Sequence, residues 1–180
     1  MAPSKTIGSE EIHAAIQRLA AAISTRHGQG TDRVLLLGIA SGGVELAQRL
    51  AASLGAKSGT IDVSFHRDDI ARNPIPKEFA PTHIPADVDG ATVILVDDVL
   101  FSGRTVKAAL DELFDYGRPA DVELAVLVDR AGRLLPIAAD YIGLTLNPAR
   151  DQKVVVTLDP KNPKRDTIKV AARTTADRAP

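Results

Sequence analysis

Asp97 and Asp98 stand side by side after a run of four apolar residues, Val93-Ile94-Leu95-Val96, three of them β-branched. Such a run reads as a strand buried on both faces. Adjacent side chains on a strand point to opposite faces, so neighbouring carboxylates cannot both be core residues. Unpaired carboxylates are rarely buried, so the strand is expected to end here, in solvent or a site. After Val99, Leu100 and Phe101 come Ser102-Gly103-Arg104-Thr105, followed directly by a helical pattern. A small glycine-containing turn at a helix N-terminus presents backbone N–H groups and hydroxyls that suit a phosphate. The acidic pair adds acceptors suited to the vicinal diol of a ribose. Together they predict a site for a ribose 5-phosphate. A lone Asp-Asp or Ser-Gly would be an ordinary β–turn–α unit; the full register carries the reading.

These groups need a scaffold, and the chain alternates strand and helix patterns around them. Ile12, Ile16, Leu19 and Ile23 recur at helical spacing behind an expected N-cap at Ser9, and the pattern stops near Gly28. Residues 1–8 read as a loose arm. Arg33 to Ile39 reads as a buried strand and Val44 to Leu54 as a helix. Between them, Ala40-Ser41-Gly42-Gly43 offers backbone donors at a helix N-terminus. Its glycine spacing matches neither a dinucleotide fingerprint nor a P-loop, and taken alone it is a generic β–α turn. Thr60 to His66 reads as a strand leading into Arg67. Pro74, Pro76, Pro81 and Pro85 then break any period, which predicts a long loop over roughly 67–90. A lid hinged at Arg67 and a plain surface excursion account for it equally well.

Asp121 to Val128 reads as a further strand, ending in Asp129-Arg130. The alternation predicts an α/β fold, a doubly wound parallel sheet with helices on both faces. Ligands bind such sheets outside the carboxyl ends of the strands, where Ser41, Arg67, Asp97, Asp98 and Arg130 fall. Strand patterns at Tyr141–Leu146, Lys153–Leu158 and Thr167–Ala171 predict a small β-rich hood over roughly 130–172 within a single domain, 1–180. Arg173 to Pro180 reads as a frayed end.

The composition narrows the classes. A hydrophobic fraction of 44% with 25% charged residues in 180 suits a globular domain with a full core. A net charge of −1 gives no global basic field for nucleic acid. The absence of cysteine excludes disulfides and thiolate metal sites and suits a cytoplasmic setting. No apolar run reaches the length of a membrane span, and the N-terminus lacks a signal-peptide core, so no membrane partner is expected. The four histidines, His13, His27, His66 and His83, lack metal-ligand spacing and read as surface or loop residues.

The stretch from Val93 to Thr105 resembles the signature of type I phosphoribosyltransferases, which use phosphoribosyl pyrophosphate (PRPP). Ile61 to Ile70, Tyr116-Gly-Arg-Pro119, Leu124 to Arg130, Leu135-Pro-Ile137 and Asp140-Tyr-Ile-Gly143 narrow the likeness. With the signature, they resemble the PyrR family, pyrimidine-operon attenuation regulators that are also uracil phosphoribosyltransferases. The likeness spans most of residues 10–158. It implies a type I core with a hood, Mg²⁺-dependent conversion of uracil and PRPP to UMP and pyrophosphate, and a homo-oligomer, a dimer in the family.

The resemblance also implies roles. Asp97 and Asp98 would hold the ribose hydroxyls, with Mg²⁺ carried by PRPP nearby and no direct protein metal site. Val99 to Thr105, with Ser41 and Gly42, would bind the PRPP phosphates. Arg67 would stabilise the leaving pyrophosphate, and Asp129, Arg130 and Val154 would line the base and nucleotide pocket. No general base for the uracil ring is evident. Better-known members carry a basic residue in the turn after the first sheet strand, and Ala40–Gly43 has none. The attenuator's RNA-binding positions match Ala21, Gly132, Ala138 and Leu144, with only Arg133 keeping charge, which argues against RNA as a partner. Three classes therefore compete: a uracil phosphoribosyltransferase, an RNA-binding attenuator with secondary catalysis, and a phosphoribosyltransferase for another base.

Overall fold

The computed structural model describes residues 5–28, 33–64 and 81–173. In chain order the elements are β1 (Lys5–Ile7), α1 (Ser9–His27), β2 (Val34–Ile39), α2 (Gly42–Leu54), β3 (Lys57–Ile61), β4 (Thr92–Leu100), α3 (Arg104–Asp115), β5 (Asp121–Arg130), β6 (Tyr141–Leu146), β7 (Gln152–Thr157) and β8 (Thr167–Ala172), with a 3-10 turn at Pro163–Arg165. Five strands form one sheet in the order β3-β2-β4-β5-β6, every pair parallel. This is the expected doubly wound sheet. Strand β2 has β3 on one side and β4 on the other, so the order switches at β2 and opens a crevice at the carboxyl ends.

The two faces of the sheet are covered separately. Ile94 and Val96 of β4 pack with Ile12, Leu19 and Ile23 of α1 and Leu46 and Leu50 of α2. Val93 and Leu95 face the other way, onto Val106, Ala109 and Leu113 of α3. The two-residue alternation of a strand thus distributes one apolar run over two cores. Burial on both faces follows, as expected for a central parallel strand.

Several expectations are corrected. Strand β4 does not end at the acidic pair; it runs on to Leu100, because Val99 and Leu100 continue the ladder opposite Val128 and Asp129. The third strand is Lys57–Ile61, earlier than the sequence suggested. Residues 5–7 are not a loose arm. They pair antiparallel with β8 and bury Ile7 in the α1–α2 core, completing a three-stranded sheet ordered β1-β8-β7. The N-cap is Gly8 rather than Ser9, and Ile12 N–H donates to the Gly8 carbonyl at 3.2 Å. Tyr141–Leu146 belongs to the edge of the main sheet, not to a hood. Arg173 is no frayed end: its N–H donates to the Asp151 carbonyl at 2.7 Å. Of the expected lid, residues 67–80 lie outside the described residues. His83 pairs with Thr60 through two backbone bonds of 2.9 and 2.8 Å, and Val88 is buried, so residues 81–90 belong to the body.

At the amino edge of the sheet, Glu123 is 2% exposed. Arg26 Nε and His27 Nε2, from the last turn of α1, stand 2.8 and 2.9 Å from its carboxylate, and Tyr141 donates its hydroxyl at 2.6 Å. A buried charge persists only with such partners. His27 is therefore a packed residue, contrary to the surface reading.

Candidate active site

The acidic pair sits at the crevice floor. Asp97 is 6% exposed and Asp98 half-buried, and the Asp98 N–H donates to Asp97 Oδ1 at 3.0 Å. Burial and the adjacent Asp98 push the Asp97 carboxyl well above the usual range, and burial raises Asp98 as well. No cationic side chain among the described residues offsets the pair. Two clustered, desolvated carboxylates without a cation fit ribose hydroxyls and a substrate-borne divalent ion.

The Ala40–Gly43 turn is more than a generic connection. A β-carbon on Gly42 would fall 2.6 Å from the Asp98 carboxyl, and one on Gly43 would fall 1.9 Å from the Val96 carbonyl oxygen. Helix α2 therefore starts directly against β4, and only glycines allow that approach. Ser41 caps α2 without a side-chain bond to its amides. Gly42→Ala is expected to push the Asp98 carboxyl aside, costing about 1–3 kcal/mol and lowering turnover. Urea unfolding and steady-state rates check both effects.

On the other side of the pair, β4 leads into the phosphate-type turn. Gly103, at φ 89, caps α3, and the Arg104 N–H donates to Ser102 Oγ at 3.3 Å. Arg104 and Thr105 are exposed in the first turn of α3. Leu100 is 1% exposed and faces the core, so only its backbone reaches this turn.

The base-side candidates divide. Arg130 and Val154 line one open cleft of about 560 Å³ together with Val99, Phe101 and Arg104, which were expected at the phosphates, and with Leu134, Lys153 and Arg173. Asp129 is instead drawn to Arg133, whose guanidinium forms an ion pair with it. The same guanidinium donates to the carbonyls of Leu100 at 3.1 Å, Phe101 at 2.8 Å, Arg130 at 2.9 Å and Ile137 at 3.1 Å. Arg133 thus ties the signature loop to the turn after β5, a role its sequence position gave no sign of. Gly132, at φ 114, would put a β-carbon 2.6 Å from the Phe101 ring. Lys153 and Arg173 were also missed as cleft residues; both come from β7 and the end of β8, far along the chain. Arg67 lies outside the described residues.

Comparison with known proteins accords with this geometry. The phosphoribosyl transferase domain matches residues 8–161. The Bifunctional protein PyrR of Corynebacterium efficiens is 49% identical over 162 residues, covering 84% of each chain. That of Chloroflexus aurantiacus is 45% identical, covering 84% of this chain and 86% of its own. Among solved structures, a hypoxanthine-guanine phosphoribosyltransferase from Bacillus anthracis aligns with a TM-score of 0.63 at 20% identity, over 83% of this chain and 84% of that one, a likeness of fold. With identity near one half over most of both chains, this chain belongs to the PyrR family of phosphoribosyltransferases.

Proposed function

We propose that the chain transfers the phosphoribosyl group of PRPP to uracil, giving UMP and pyrophosphate. The observation that carries this reading is the Asp97–Asp98 pair, without an offsetting cation among the described residues, set between two helix-opening turns and beside an apolar-and-cationic cleft. The Ser102–Thr105 turn binds the 5-phosphate through backbone N–H groups and hydroxyls. Asp97 and Asp98 hold the ribose diol and so fix the anomeric carbon for in-line displacement. The backbone of Ser41 to Gly43 faces the pyrophosphate, and Arg67 is assigned to the leaving group on its sequence position alone. Asp97 and Asp98 would lie near a Mg²⁺ ion carried by PRPP, whose charge would offset that of the leaving pyrophosphate. Burial raises the pKa of both carboxyls, and a nearby divalent ion would favour their ionised forms. The base occupies the cleft between Val99, Phe101, Arg130 and Val154. A panel of uracil, hypoxanthine and other bases with PRPP tests the reading. Turnover of a purine but not of uracil would overturn it.

Regulation through RNA is the second reading, and the engagement of Arg133 weighs against it. Its guanidinium is committed to Asp129 and four carbonyls, leaving little for phosphate. Lys161, Lys164, Arg165 and Lys169 are exposed cations of the C-terminal segment. A gel shift with pyrimidine-operon leader RNA at two salt concentrations decides the matter, with weak, strongly salt-dependent binding expected. Charge reversal at these four positions is the right control, since truncation after Asp159 would remove β8. No helix among the described residues is long and apolar enough to cross a membrane. A cytoplasmic enzyme, dimeric as the family resemblance implies, fits the cysteine-free composition.

A further inference from the structure

The cleft assigned to the base carries more positive charge than a neutral ring requires. Arg104 of α3, Arg130 of β5, Lys153 of β7 and Arg173 after β8 all line it, and among the described residues no carboxylate does. Asp129 is held by Arg133, and Asp97 and Asp98 lie outside the lining on the ribose side. Two of the cations lie against the Phe101 ring, with the Arg130 guanidinium 4.1 Å and the Arg173 guanidinium 5.3 Å from its centroid. Arg130 is 5% exposed, and its Nε is buried without a hydrogen-bond partner. Its Nη1 donates to the Gln152 carbonyl at 3.3 Å. Burial and the nearby Arg173 both lower the Arg130 pKa. Two like charges converge on one ring with a buried donor unused. That arrangement is unfavourable until an anion arrives.

We propose that Arg173, acting with Arg130 beside Phe101, binds the attacking pyrimidine as its N1 anion, so that no side-chain general base is needed. The inference rests on the uracil reading above and supplies what that reading lacked. The N1–H bond breaks with the proton passing to solvent through the open cleft. The N1 electron pair then forms the N1–C1′ bond, and the C1′–O bond breaks with its pair leaving on pyrophosphate. The guanidinium charge holds the negative ring oxygens, lowering the pKa of bound uracil. Arg173 carries the test because it is a half-exposed side chain at the end of a strand, removable without opening the core.

The experiment follows kcat/KM for uracil and for the more acidic 5-fluorouracil across the pH range in which uracil N1 ionises, with full-length wild type, Arg173→Gln and Arg173→Lys. For Arg173→Gln, the expected loss with uracil at neutral pH is about tenfold, the equivalent of one pKa unit. It recovers as pH rises, and 5-fluorouracil suffers less. Arg173→Lys keeps a near-wild-type profile, and KM for PRPP stays unchanged in both variants. A loss independent of pH and equal for both bases overturns the proposal, as does a loss confined to KM for PRPP, which would mark a phosphate contact. Absence of uracil turnover by the wild-type enzyme would instead remove the functional reading on which the proposal stands.

Discussion

Asp97→Asn and Asp98→Asn are each expected to lower kcat/KM by about 100-fold or more, the cost of a reacting centre held about an ångström out of line. For Asp97 the loss of activity is expected to come with a gain in stability. Its carboxyl is 6% exposed, and burial raises its folded pKa well above the ordinary 3.8. The native state therefore binds this proton more tightly than the unfolded chain does. The stability tied to it is fully present below the unfolded pKa and is lost as pH rises through the folded pKa. At neutral pH the wild type bears the cost of a buried, ionising pair, and asparagine removes it. The melting temperature of Asp97→Asn should exceed that of wild type at neutral pH, and the difference should shrink below about pH 4, where both side chains are neutral. Wild-type kinetics in both variants would end the ribose assignment. A lower melting temperature for Asp97→Asn at neutral pH would show that the carboxylate is required by the fold. A functional group held at a stability cost is expected where a site needs charge in a dry place.

Arg49→Ala is expected to cost about 3–5 kcal/mol of unfolding free energy, because it strands a buried carboxylate. Asp166 is 1% exposed and pairs with the Arg49 guanidinium, which also donates to Glu45 Oε1 at 2.7 Å and to the Asp159 carbonyl at 2.9 Å. Without Arg49, Asp166 keeps the Asp159 N–H, at 2.8 Å. Arg49 lies on α2, the helix that opens at the Gly42–Asp98 contact, and Asp166 leads into β8. Breaking the pair loosens the small antiparallel sheet that brings Lys153, Val154 and Arg173 to the cleft. The variant should therefore unfold at lower urea and bind the base more weakly. Replacing both partners by leucine should recover much of the stability, since the desolvated charges go together. A double variant no better than Arg49→Ala would mean that the segment depends on the other bonds of the cluster.

What the sequence settled by itself was whatever depends on neighbours along the chain. The apolar run Val93–Val96 fixed a central strand, the period of Ile12, Ile16, Leu19 and Ile23 fixed α1, and Ser102–Thr105 marked the start of α3. Those features are local, because a strand's alternation, a helix's period and a turn's glycine are written within a few residues. The family likeness was legible for the same reason, as contiguous stretches in order. Only the tertiary structure decided that the acidic pair continues its strand and that Asp97 is buried. It alone set Gly42 against Asp98, closed Arg133 over the signature loop, paired residues 5–7 with β8, and moved Tyr141–Leu146 into the main sheet. It also turned Arg173 from a tail residue into a wall of the cleft. Each of these depends on which distant segments meet, and the free energy that selects such meetings comes from shared burial and long-range pairing, which leave no period in the sequence.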